Sequence, residues 1–190
     1  MMRDVMTGGF ANPAFDASHA FRAVLQAMAR PGRIETVASA TPPAPISPAA
    51  GAMLLTLCDP ETGLYLAPSH DTDAIRSWVT FHTGAPFVPA NRADFALGTW
   101  EALAPLSAYR IGTPEYPDRS TTLIVEQDRL AATGTRLTGP GIEVEAALNL
   151  PEIAAFQANR AQFPLGFDCV FCAGEQLAAL PRSTFVTEVD

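Results

Sequence analysis

Lysine is absent from all 190 residues, so the twelve basic side chains are all arginine. This chain therefore cannot supply the amine that forms a Schiff base with pyridoxal phosphate or a carbonyl substrate. A phosphate-binding P-loop, which needs Gly-Lys-Ser/Thr, is excluded for the same reason. Basic character is scarce overall: twelve arginines stand against 20 acids, for a net charge of −8. The arginines form no run, so nucleic-acid binding, which rests on a basic patch, is not expected. An anionic ligand would have to be held by a few local arginines against the global field. Long hydrophobic runs are also missing. No stretch approaches the roughly 20 apolar residues of a membrane span, and Met1-Met2-Arg3-Asp4 leads into no apolar signal core. The expectation is a cytoplasmic protein with no membrane contact.

Catalytic signatures are absent as well. The chain contains no Gly-x-Ser-x-Gly elbow, no His-Glu-x-x-His and no Gly-x-Gly-x-x-Gly. His19, His70 and His82 fall on different elements without ligand spacing, and no metal site is expected. Of the three cysteines, Cys169 and Cys172 form a lone Cys-x-x-Cys. They lie in Phe-Asp-Cys-Val-Phe-Cys, which reads as a buried strand. Residues three apart on a strand point to opposite faces, so the two thiols should not meet and should be inert.

What the chain does have is apolar substance: 48% apolar against 17% charged residues, with a mean hydropathy of +0.13. That suffices for one domain with a sizeable core and leaves a surplus that can cover an interface. Residues 1–15 read as an arm, and 16–190 as a single domain. Asp16 or Ser18 should cap a helix running to Arg30, with Phe21, Val24, Leu25 and Met28 as its inward stripe. Pro31-Gly32 ends it. A short strand over 33–37 and a proline-rich connector over 38–48 follow. Ser47 and Pro48 should open a second helix with a Met53, Leu54, Leu57, Cys58 core face. Further strands are expected at 63–67, 93–98 and 121–126. A hairpin should join 135–137 to 142–146 across Thr138-Gly139-Pro140-Gly141. Asn149 should cap a further helix, and a 167–173 strand should turn back at Gly174-Glu175 into 176–181, with a last strand at 185–189. Helices alternate with strands early and hairpins dominate late, which implies an α/β fold: a mixed sheet flanked by helices.

The stretch Trp78–Pro86 organises the rest. A helix opening at Asp71 or Thr72 presents Ile75, Trp78, Val79 and His82 along one side and stops at Gly84 and Pro86. It therefore puts His82 and Thr83 where a helix end meets a loop. On residue chemistry alone His82 is a core or capping histidine, and a ligand-facing His-Thr pair is the sharper alternative. A helix C-terminus favours positive charge, the wrong setting for a general base. Arg22 and Arg30 lie off the apolar stripe, as solvated cations or as contacts to an anion or partner. Arg182-Ser183-Thr184 reads as strand-edge surface, or as an arginine beside two hydroxyls that could grip phosphate.

Six stretches in series carry a resemblance. They are Phe21-Arg22 with Ala27–Gly32; Leu54–Leu57 before Asp59; Phe81–Pro86; Leu137–Ile142; Phe163–Gly166 with Asp168; and Leu180–Thr184. In this order and spacing, over about residues 15–188, the chain resembles the PhnH subunits of the carbon–phosphorus lyase system of bacterial phosphonate use. The one departure is Ser183, where threonine is common. The resemblance implies a fold similar to pyridoxal-phosphate-dependent transferases without the cofactor site, in keeping with the missing lysine. It implies homodimers, and partnership with PhnG, PhnI and PhnJ in a core complex. That complex transfers a phosphonate onto the ribose of a nucleoside triphosphate with loss of the base. Its chemistry is attributed to the other subunits, so this chain is expected to be non-catalytic. Arg22, Arg30, His82, Thr83 and Arg182 are then candidates for contact with a nucleotide, a phosphonate or a partner. The alternative is a transferase subunit with His82 as acid or base.

Overall fold

Strand β7 (Asp168–Ala173) shows how the domain is layered. Five of its six residues are buried, the pattern of a strand covered on both faces. Its side chains alternate between two cores: Val170 and Cys172 enter one, Cys169 and Phe171 the other. The thiols thus lie on opposite sides of the sheet, as strand geometry requires. The structure is a computed structural model and describes residues 7–189.

The elements in chain order are α1 (Pro13–Ala29), β1 (Glu35–Thr36), α2 (Pro48–Leu57), β2 (Leu64–Leu66) and α3 (Asp73–Thr83). Then come β3 (Phe95–Thr99), α4 (Trp100–Leu103), β4 (Thr122–Glu126), β5 (Thr135–Thr138), β6 (Ala146–Leu148) and α5 (Ile153–Arg160). Last are β7, β8 (Gln176–Leu180) and β9 (Phe185–Thr187). A six-stranded sheet has the order β1-β8-β7-β4-β3-β2, and a three-stranded sheet the order β6-β5-β9. Strands β2, β3, β4 and β7 are parallel, β8 returns antiparallel to β7, and β1 pairs antiparallel with β8. The large sheet is therefore mixed, and the fold is α/β.

One face of that sheet packs on α1, α2 and α3 through Ala27, Met53, Leu54, Ile75 and Trp78. The other packs on α4, α5 and the small sheet through Leu103, Phe156, Leu137, Leu148 and Val186. Each fully buried aliphatic or aromatic side chain contributes about 1.5–3 kcal/mol before chain entropy is counted. Local chemistry starts α2 and α3 where expected. The Ser47 hydroxyl accepts from Ala50 N at 3.2 Å with Pro48 at the first helical position, and the Thr72 hydroxyl accepts from Ile75 N at 3.3 Å. Gly84 closes α3 in the left-handed conformation at φ 69°.

Several expectations are corrected. Helix α1 begins at Pro13, not Asp16 or Ser18; Asn12 is the capping residue, and its amide donates to the Asp16 carboxylate at 2.8 Å. The arm's described part, residues 7–12, is tied down. Thr41 N donates to Gly8 O at 2.9 Å and Trp78 Nε1 to Thr7 O at 3.2 Å. Of the stripe expected inside α1, only Val24 is buried; Phe21 and Leu25 are exposed, and Ala20, Ala23 and Ala27 go inward instead. Small residues let α1 lie close on α2 and β8. In the hairpin, β6 starts at Ala146 rather than 142, with Leu137 opposite Ala146 and Thr135 opposite Leu148. Asn149 does not cap α5, whose first residue is Ile153. Its side chain instead accepts from Ala131 N at 2.6 Å and donates to Arg129 O at 3.0 Å. Its amide does better as a clamp on that loop than as a cap.

Candidate functional site

At the open end of the β7–β8 hairpin, a cleft of about 500 Å³ opens among segments far apart in sequence. Its walls are Met28 and Ala29 at the end of α1, Pro117-Asp118, Pro140-Gly141, Phe163-Pro164, Asp168, and Pro181-Arg182-Ser183. Four of the six recognised stretches meet here. Gly141 has φ +83°, and a Cβ on it would stand 2.0 Å from Ala29 O. Only glycine lets this turn press onto the end of α1.

Arg182 braces the cleft from within. Its Nη2 and Nε donate to the two Asp168 carboxylate oxygens at 2.6 and 3.1 Å, and its Nη1 to Pro117 O at 2.7 Å. Nη2 also donates to the Ser120 hydroxyl. The Arg182 backbone amide adds a bond to Asp168 Oδ1 at 2.8 Å. A guanidinium spent on four acceptors holds the segments 117–120 and 168 together; it is not a free anion grip. Nearby, Arg160 lies over the rings of Phe185 at 4.1 Å and Phe163 at 4.8 Å, and its Nε donates to Ser183 O at 3.2 Å. That cation–π pair sets the ring of Phe163 at the cleft wall.

The other candidates lie elsewhere. His82 borders a separate cleft of about 380 Å³ with Gly8, Gly9, Phe10, Pro13 and Leu55. Its ring packs on Trp78 at 5.0 Å and Phe81 at 4.9 Å, and Nε2 reaches Thr7 O at 3.3 Å. That carbonyl is an acceptor, so Nε2 carries the proton. The Thr83 hydroxyl donates to Val79 O at 2.8 Å and accepts from Ala85 N at 3.1 Å, finishing the helix. Arg22 and Arg30 are exposed, and neither side chain has a hydrogen-bond or ion-pair partner among the described residues. The five residues therefore do not form one site.

Sequence reasoning missed a further cleft of about 560 Å³ beyond the carboxyl ends of β3 and β4, lined by Thr99–Glu101, Glu126–Arg129 and Asn149–Pro151. Glu126 accepts from Ser47 N at 2.7 Å, at the start of α2. Burial pushes its carboxyl up to about 7, against the pull of Ser47. The only sequence signal was a lone acid ending an apolar strand. Among the described residues no group of three or more His, Cys, Asp or Glu could hold a metal ion. No described helix is long and apolar enough to cross a membrane.

Four of the six recognised motifs of this layered α/β domain converge on one cleft, and comparison with known proteins gives its family. Residues 8–187 match the family described as "Bacterial phosphonate metabolism protein (PhnH)". The chain is 40% identical over 189 residues to the alpha-D-ribose 1-methylphosphonate 5-triphosphate synthase subunit PhnH of Rhizobium meliloti (strain 1021). That match covers 95% of this chain and 94% of the relative. It is 30% identical over 173 residues to HtxG of Stutzerimonas stutzeri, provisionally described as a C-P lyase subunit, across 88% of this chain and 84% of the relative. The chain belongs to the PhnH family.

Proposed function

We propose that this chain is a non-catalytic subunit of a carbon–phosphorus lyase core complex. That complex converts a phosphonate and a nucleoside triphosphate to a ribose 1-phosphonate 5-triphosphate. The observation that carries the reading is 40% identity across nearly the whole of a protein named as a synthase subunit of this type. The state of the motif side chains supports it. Arg182 is spent on internal acceptors and Thr83 on its helix, while His82 meets a backbone carbonyl and aromatic rings rather than an orienting carboxylate. A general base needs both reach to its proton and a group that holds its tautomer.

In this reading the partners are PhnG-, PhnI- and PhnJ-type subunits, in the cytoplasm. Among the candidate residues, the exposed Arg22 and Arg30 are the cations left to meet an anionic ligand or partner. The fold is that of pyridoxal-phosphate-dependent transferases without the cofactor site; the mixed sheet and the lysine-free sequence support this. Self-association into a homodimer belongs to the same reading and rests on the apolar surplus. The test is co-expression with the three presumed partners, with mass by light scattering and turnover of phosphonate with nucleoside triphosphate. A heteromer containing this chain is expected. Turnover by the isolated chain, or a His82→Ala variant that assembles fully and yet loses all turnover, would overturn it.

A further inference from the structure

Helix α1 is amphipathic the wrong way round. Its buried side carries Ala20, Ala23, Val24 and Ala27. Its outer side carries the large apolar groups: Phe15 is 59% exposed, Phe21 52% and Leu25 53%. Burying alanines while wetting two phenylalanines and a leucine leaves in water the apolar surface that folding would otherwise remove. Exposed apolar surface concentrated in this way marks an interaction site. The same arc carries Arg22, and Arg30 follows at the helix end; neither has an acidic partner among the described residues. The only acid of α1 is Asp16, half-buried and engaged by Asn12 N. At its far end the surface runs into the hairpin cleft, which Met28 and Ala29 help to line.

We infer that the outer face of α1 docks an acidic, amphipathic segment of another subunit, an inference that rests on the assembly role proposed above. Charge decides the kind of partner. A two-fold contact sets a patch against its own copy. Here that would bring Arg22 and Arg30 toward the same arginines with no acid on the outer arc of α1 to separate them, and like charges across an interface cost affinity. A carboxylate-bearing segment instead meets the phenylalanines with its apolar side and the guanidiniums with its charges.

The test uses the full chain co-expressed with the PhnG-, PhnI- and PhnJ-type subunits. A photo-crosslinking phenylalanine analogue replaces Phe21, and two double variants are compared with wild type: Phe21→Ser with Leu25→Ser, and Arg22→Glu with Arg30→Glu. All four side chains are exposed, so melting temperatures should stay close to wild type. The expected result is a crosslink to an Asp/Glu-rich peptide of another subunit. Each double variant should bind at least about tenfold more weakly, with the salt dependence of binding lost only in the arginine pair. Self-association of the isolated chain should be unchanged. The inference falls if both variants assemble like wild type. It also falls if Phe21 crosslinks to a second copy or to residues 1–6 of its own chain, or if the wild type sediments with vesicles of anionic phospholipid and the variants do not. If wild type itself does not assemble with those subunits, the functional reading fails too.

Discussion

Asp168, the first residue of β7, and Arg182, two residues beyond the end of β8, tie off the open end of their hairpin by a forked ion pair at 2.6 and 3.1 Å. Their side chains are only 18% and 11% exposed, so solvent does little to screen them. Removing one partner leaves the other charge buried. We expect Arg182→Ala to lower stability by about 3 kcal/mol, and Arg182→Lys to recover little, because an ammonium cannot copy the fork to Asp168 and Pro117. Urea unfolding midpoints for Arg182→Ala, Asp168→Asn and the double variant test this. A loss under about 0.5 kcal/mol for Arg182→Ala would remove its bracing role.

Glu126 should make the fold sensitive to pH. Burial raises its carboxyl from 4.5 to about 7. The native state thus holds that proton more tightly than the unfolded chain, and stability falls as pH climbs from about 4.5 through about 7. Glu126→Gln cannot ionise and can still accept from Ser47 N. It should match wild type near about pH 4 and exceed it by about 1–3 kcal/mol above about pH 7. Melting temperatures of both proteins across that range read the effect. Parallel curves would show that the carboxyl is not desolvated as the structure has it.

The segment 7–10 is held on α3 partly by the close approach of Gly9 to His82. A Cβ at Gly9 would stand 2.6 and 2.7 Å from two ring atoms. Gly9→Ala should cost about 1 kcal/mol, and His82→Ala in the same chain should relieve most of that cost. The amide of Thr41, which donates to Gly8 O at 2.9 Å, is a local reporter. Its hydrogen exchange should speed up in Gly9→Ala and slow again in the double variant. Unchanged exchange at Thr41 would mean that the segment is anchored without His82.

All three thiols should be inert in the native protein. Burial, with Asp59 and Asp94 nearby, pushes Cys58 up to about 12; burial also raises Cys169 and Cys172 well above the usual thiol range. Thiolate is the reactive form. A disulfide-exchange reagent at about pH 8 should modify none until denaturant is added, then all three. Fast labelling of one site in the folded chain would contradict its burial.

How much of this was legible in the sequence differs by scale. Turn and cap chemistry is local: Ser47-Pro48, Thr72, Gly84 and Gly174 did what their side chains or their lack of one dictate within four residues. The alternation that splits Cys169 from Cys172 follows from the two-residue strand repeat alone. The order of the six stretches marked the family before any coordinates were needed. Periodicity misled where burial is set by a neighbour. The stripe of Phe21, Val24, Leu25 and Met28 is a good helix pattern, but α2 and β8 approach too closely for large side chains, so alanines won the inside of α1. Asn149 followed a general capping preference, while the loop at 129–131 offered its amide two better bonds.

The site shows the same division. Sequence alone could nominate Arg182, His82 and Thr83, because charge, ring and hydroxyl are properties of single residues. Whether those groups are free is a property of what folds against them. Only tertiary structure decided that Arg182 is consumed by Asp168, Pro117 and Ser120, that His82 lies under the 7–10 segment, and that Arg22 and Arg30 remain unpaired among the described residues. Those partners come from up to about 75 residues away along the chain. Hydrogen-bond saturation and burial depend on such long-range closure, which no local pattern encodes.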